Sequence, residues 1–217
     1  MKIFRDWQTR AGAAFLAAAI TATMPSGGQA AQLSSADEQA VAVVEDYLNG
    51  FQTMHSRFIQ IAPDGGHASG SIYLKRPEKM RVEYDPPVPI LIVSTGIWLI
   101  YLDMELGQVT HLPVDSSPVA VLARENMTFG DEVEVVRVAR ADGVLRLTIM
   151  DNRDFSADLG EITLVFSESP LRLRKWTVLD AQGLVTTVTL IDPRFNIALD
   201  PVLFKFVDPT PDRDIDR

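Results

Sequence analysis

The chain contains no cysteine. That absence excludes disulfides, thiolate nucleophiles and Cys-ligated zinc together. It also excludes the lipid-modified cysteine by which an exported lipoprotein is anchored. Histidine is nearly as scarce: His55, His67 and His111 are the only three. Each lies on or beside a different candidate strand, none stands in a metal-ligand spacing such as H-E-x-x-H, and no metal site is expected. His67 in its Gly-rich turn and His55, alternating with the Met54 face, read as solvent-exposed. A G-x-S-x-G elbow, an S-x-x-K motif and a Walker loop are also missing. Carboxylates are plentiful, but no spacing selects a pair, so no catalytic residue is assigned and no cofactor is implied. Internal repeats, low-complexity tracts and interdomain linkers are lacking as well, so one domain is expected.

What is present is an ordinary globular composition, 47% hydrophobic and 23% charged, with a formal net charge of −9 over 217 residues. Chains this acidic are repelled by phosphate backbones and anionic lipid surfaces, so nucleic acid is not an expected partner. The head "MKIFRDWQTR", the apolar run "AGAAFLAAAITATM" and the small residues of "PSGGQAA" follow the order of a secretory signal peptide, with cleavage expected after Ala30 or Ala31. The apolar run is shorter than the roughly 20 residues a membrane-spanning helix needs. The sequence thus divides into a signal peptide over 1–30, one domain over 31–209 and an acidic tail over 210–217.

The segment "SSADEQAVAVVEDYLNGF" reads as a helix. Ser35 followed by Glu38 has the capping-box spacing, Val41, Val44, Leu48 and Phe51 form one apolar stripe, and Gly50 is placed to end it. Beyond it the period changes to 2, the strand repeat. Candidate strands run from Met54–Ile61 through Ala68–Lys75, Met80–Tyr84, Ile90–Ser94, Ile97–Leu102 and Gln108–Leu112. They resume at Glu132–Ala141 and Val144–Asp151 around Asp142-Gly143, which suits a type I′ hairpin turn. Glu161–Ser167, Leu171–Asp180, Leu184–Ile191 and Leu203–Val207 complete the set. The segment Asp115–Asn126, ending in "PVAVLAREN", reads as a short helix with Ser116 or Ser117 as cap and Pro118 in its first turn. Short strands at this spacing without alternating helices point to one large antiparallel sheet or barrel.

Alternation puts Met80, Val82 and Tyr84 on one face, Ile72 and Leu74 on one face, and Met54, Ser56, Phe58 and Gln60 together. "ILIV" and "IWLIYL" are apolar on both faces and so call for cover on both sides. A curved sheet must bury its concave face, which these residues would do as plain core. Two helical segments are a thin cover for so many strands, however, and the surplus apolar face can equally be kept for an apolar ligand.

The order of these motifs resembles the periplasmic lipoprotein carriers of the LolA type. It comprises an N-terminal helix, "FIQ" at Phe58–Gln60, "GSIYLKRPEKMRVEYDPP" at Gly70–Pro87, "ILIVSTG" at Ile90–Gly96, a Tyr101 strand, the helix after Pro118 and "LFKFVDP" at Leu203–Pro209. The resemblance covers roughly Ala36–Pro209. It implies a mainly β fold, a single curved antiparallel sheet forming an incomplete β-barrel of about 11–12 strands, covered by the N-terminal helix and short lid helices. It implies an acyl-binding cavity at Met54, Phe58, Ile72, Leu74, Met80, Val82, Tyr84, Ile92, Val121 and Leu122, and a lid lock at Arg76 bonded to lid backbone. A guanidinium, with its five donors, suits helix C-terminal carbonyls; the alternative reading of Arg76 is a solvated strand-end cation. At Met80 many relatives carry a bulky aromatic, and the Pro86, Pro87 and Pro89 cluster is unusual.

The implied partners are triacylated lipoproteins, an ATP-driven inner-membrane release complex and an outer-membrane receptor. The implied carrier is a soluble periplasmic monomer that does no covalent chemistry. Competing readings are a periplasmic sensor or lipid-binding module on the same fold, and a hydrolase using an Asp/Glu pair in the concave face.

Overall fold

The structure, a computed structural model, describes residues 33–114, 118–130, 132–151 and 160–208. The expected signal peptide, the acidic tail and the cap candidates Ser116 and Ser117 lie outside the described residues.

Helix α1 spans Ser35–Asn49, and its cap is Ser34, one residue before the expected Ser35. Ser34 Oγ accepts from the Asp37 N–H at 3.2 Å, and the Asp37 carboxylate accepts from the Ser34 N–H at 3.1 Å. Two serines in a row offer two boxes of the same spacing, and the one with the shorter carboxylate is formed. Gly50 closes the helix through its N–H to Tyr47 O at 3.2 Å, with ordinary right-handed backbone. Ala40, Val44 and Leu48 are buried along one stripe, and burying each larger side chain stabilises the fold by roughly 1.5–3 kcal/mol.

Eleven strands follow: β1 (Thr53–Ile61), β2 (His67–Lys75), β3 (Lys79–Tyr84), β4 (Ile90–Thr95), β5 (Trp98–Asp103), β6 (Gln108–Pro113), β7 (Val133–Ala141), β8 (Val144–Asp151), β9 (Glu161–Glu168), β10 (Leu171–Leu179) and β11 (Val185–Phe195). They form one antiparallel sheet in the order β6-β5-β4-β3-β2-β1-β11-β10-β9-β8-β7. Two meanders therefore meet at β1 and β11, and β6 and β7 remain as unpaired edges among the described residues, so the curved sheet is not closed. The β7–β8 turn has positive φ at both Asp142 and Gly143, as a type I′ turn requires.

The concave face carries the core. Helix α1 lies there with Leu147, Leu164, Phe166 and Leu173, all fully buried. In β10 the register shifts between Leu173 and Lys175, and the Leu173 N–H donates to Tyr47 Oη at 3.1 Å. That bulge reverses the alternation and turns Trp176 to the same side as Leu173.

Two expectations are corrected. Leu203–Val207 is not a twelfth strand: Pro201–Phe204 is a 3-10 helix, capped by Asp200 Oδ1 accepting from the Val202 N–H at 2.9 Å. Asp-Pro is a helix-start signal, and the local cap prevails over alternation. This segment packs on β3 and β4, and Arg81 Nη1 donates to Leu203 O at 3.2 Å. It covers the outer face where Val93, Ile100, Leu102 and Phe204 are all buried, which explains why β4 and β5 are apolar on both faces. The other correction is that the helix expected over Asp115–Asn126 is 3-10 over Pro118–Ala123 and ends three residues before Asn126, while residues 115–117 lie outside the described residues.

Candidate functional site

Alternation along five neighbouring strands aims one set of side chains into the concavity. Phe58 and Gln60 come from β1, Ile72 from β2, Met80, Val82 and Tyr84 from β3, Ile92 from β4 and Leu99 from β5. Trp176 and Val188 close the other side from β10 and β11. The lining is apolar except at Gln60 and Tyr84, with a thioether sulfur from Met80 and an indole N–H from Trp176. Gly70, opposite both Phe58 and Tyr84, has to be glycine: a Cβ there would stand 2.1 Å from Glu83 O and 2.7 Å from the Phe58 ring. The Phe58 ring lies edge-on to Tyr84 with centroids 5.3 Å apart. The cavity measures about 130 Å³, below the roughly 300–1,000 Å³ of a typical small-molecule site. An acyl chain needs it to widen.

The segment expected to form the lid packs beside this cavity. Its 3-10 helix contributes Val121, Leu122 and Ala123 to the core and is tied to the sheet by polar contacts at one end. Arg76, only 5% exposed, donates from Nε and Nη2 to Leu122 O at 3.3 and 3.1 Å. Its Nη1 reaches Asn49 Oδ1 at 3.4 Å, and its guanidinium lies 4.7 Å from the Phe51 ring centre. No carboxylate among the described residues pairs with it, and burial lowers its pKa to about 10. Beside it the Glu78 N–H donates to Ala123 O at 2.6 Å. Asn49, at the end of α1, holds the following segment as a backbone would, accepting from the Met127 N–H and donating to Met127 O, both at 2.8 Å. Arg124 and Asp151 form a further ion pair at 2.6 Å between the end of the lid and β8.

Six of the residues expected in the cavity are brought together in its wall: Phe58, Ile72, Met80, Val82, Tyr84 and Ile92. The other four, Met54, Leu74, Val121 and Leu122, are fully packed in the adjoining core. Arg76 is placed against the lid backbone at Leu122. Sequence reasoning missed Leu99, Trp176, Val188 and Gln60 as lining, although Gln60 was on the right face. It also missed Asn49, whose only signal was a polar residue abutting the helix-ending glycine.

His55 is not the exposed residue expected. It stacks on Tyr73 with centroids 4.5 Å apart and planes 10° apart, and its Nε2 is buried without a hydrogen-bond partner. Burial, then the Arg194 and Arg57 charges, lower its pKa. On the same outer face, Asp85 accepts from Arg57 and, at 2.6 Å, from Ser69 Oγ, which hold its pKa at about 2. This fastens the Pro86-Pro87-Val88 loop over β1 and β2, framing a shallow outer pocket with Ile59 and His67. Among the described residues no group of three or more His, Asp or Glu is placed to hold a metal, and no helix is long and apolar enough to cross a membrane.

Residues 49–207 match the family described as "Outer membrane lipoprotein carrier protein LolA". An outer-membrane lipoprotein carrier protein of Chromobacterium violaceum is 30% identical over 200 residues, covering 88% of this chain and 92% of the relative. One from Nitrosomonas europaea is 32% identical over 180 residues, covering 78% and 85%. Among solved structures, a LolA superfamily protein of Nitrosomonas europaea has a TM-score of 0.45 at 13% identity, covering 76% of this chain and 97% of that one.

Proposed function

Since this chain belongs to the outer-membrane lipoprotein carrier family LolA, we propose that it carries lipoproteins across the periplasm with their acyl chains sheltered in the concave cavity. The observation that carries the reading is the apolar cavity beside a lid held to the sheet by a buried, carboxylate-free arginine. Covering acyl chains is worth about 0.8 kcal/mol per buried CH₂, enough to hold a ligand that water rejects. Release is then the harder step, and the closed geometry suggests its driving force. In the closed form the cavity is small, so loading requires the lid to part from Arg76, and reclosing works against the cargo.

In this reading residues 1–30 direct export and are removed, the remaining protein is a soluble periplasmic monomer, and Arg76 is the lid lock. Triacylated lipoproteins arrive from an ATP-driven inner-membrane release complex and leave to an outer-membrane receptor. No covalent step is required. Depleting the protein from its host tests this: lipoproteins destined for the outer membrane should accumulate in the inner membrane fraction. Unchanged partition on depletion would instead favour a sensor or binding module.

A further inference from the structure

We propose that Gln60 and Tyr84 form a polar subsite in the cavity that recognises the carbonyl group of an ester- or amide-linked acyl chain. The proposal rests on the carrier reading and adds to it a basis for choosing among apolar ligands.

Gln60 and Tyr84 supply the only side-chain oxygens of the cavity wall among the described residues, where the other polar group is the Trp176 indole N–H, and they stand together. Tyr84 Oη donates to Gln60 Oε1 at 2.8 Å. Their partnership is built into the sheet. Gln60 opposes Ala68 on β2, and Tyr84 opposes Gly70 on the same strand, two residues along. With no Cβ at Gly70, the Phe58 ring settles against β2 and props Tyr84 edge-on. Burial raises the Tyr84 pKa, so the phenol remains a donor at neutral pH.

That hydrogen bond fixes the carboxamide and spends only its oxygen. The Gln60 NH₂ has no partner among the described residues. Position then matters. Phe58, Ile72, Met80, Leu99 and Trp176 are buried, whereas Gln60, Tyr84, Val82 and Ile92 are half-buried and mark the open side. Gln60 also lies six residues along β1 from Met54, about 20 Å from the lid end at the strand rise. Cargo filling the cavity would expel water and leave the NH₂ needing an acceptor. A hydrocarbon tail has none. The carbonyl oxygen at the head of an acyl chain supplies one, with the tail running inward along the apolar wall.

The test compares two matched probes, the hexadecanoyl monoester of glycerol and the hexadecyl monoether of glycerol, by displacement of a fluorescent alkyl dye from the purified protein. The native protein should prefer the ester about three- to tenfold, the range of one net hydrogen bond. In Gln60→Met that ratio should fall to about one, whatever happens to both affinities together. Tyr84→Phe, which frees the carboxamide without removing it, should lower the ratio partway and serves if Gln60→Met does not fold. Equal affinities in the native protein, or a ratio that survives Gln60→Met, would overturn the subsite and leave the carrier reading standing, since both probes bind. Binding of neither probe would overturn both.

Discussion

Replacing Arg76 by leucine should open the lid without unfolding the sheet. Two charge-assisted hydrogen bonds reach Leu122 O, together on the order of 3–6 kcal/mol at about 1.5–3 kcal/mol each. Against this stands burial of the cation: a pKa lowered from its ordinary value to about 10 corresponds to about 3 kcal/mol at 1.36 kcal/mol per unit. The latch is therefore shallow, a net of about 0–3 kcal/mol. Because the folded-state pKa of this base is depressed, the burial cost is present in full below about pH 10 and is relieved only as pH rises above it. The latch is accordingly insensitive to pH near neutrality. Arg76→Leu removes the burial cost with the bonds, so global stability should change by no more than about 3 kcal/mol. The Leu122 carbonyl is left without its partner, favouring opening by about 1–3 kcal/mol. Amide hydrogen exchange across Ala120–Met127 should accelerate about 5- to 150-fold while β1–β3 amides keep their rates. Equal acceleration of lid and sheet, or no acceleration of the lid, would refute the latch. With the closing force gone, the same variant should still load cargo but hand it on poorly, and efficient delivery would count against the lid role.

Asp85→Asn should lower the melting temperature at neutral pH by loosening the loop from Arg57 and Ser69. Since the folded-state pKa is depressed to about 2 from 3.8, the native advantage should be complete above pH 4 and vanish as pH falls through 2; melting curves that stay apart at the acid end would contradict this. His55→Phe should keep the stack on Tyr73 and remove the unpartnered Nε2, stabilising the protein by about 1 kcal/mol at pH 8. Its benefit should increase below pH 6.5, where the unfolded histidine gains a proton before the folded one does, and a pH-independent difference in urea midpoints would show that the ring does not titrate as described.

Much of the fold was legible because period and turn chemistry agree. Helix α1, the Asp142-Gly143 hairpin and the wall formed by Met80, Val82 and Tyr84 each follow from spacing alone. Trp176 was hidden for a physical reason: the bulge at Arg174 reverses the alternation in β10, and a strict period-2 reading carries it to the wrong face. Cover for β4 and β5 was visible as a need, but not its source, because Leu203–Val207 alternates like a strand while Asp200-Pro201 starts a 3-10 turn. Met54, Leu74, Val121 and Leu122 show the remaining limit. Sequence alternation identifies the face a residue occupies, and only the closed packing of lid on sheet separates cavity wall from core. That Arg76 bonds lid backbone was expected from family resemblance alone, and its acceptor, the Leu122 carbonyl, is seen only in the structure; Lys75-Arg76-Pro77 by itself also reads as a solvated strand end.

The central claim is that cargo is held by its acyl chains. Mixing the purified protein with one lipoprotein in triacylated and unacylated forms, without detergent, and following each by size-exclusion chromatography tests it most directly. The account predicts that the triacylated form alone enters a soluble complex with the carrier; equal complex formation by the unacylated form, or failure to keep the triacylated form in solution, would contradict it.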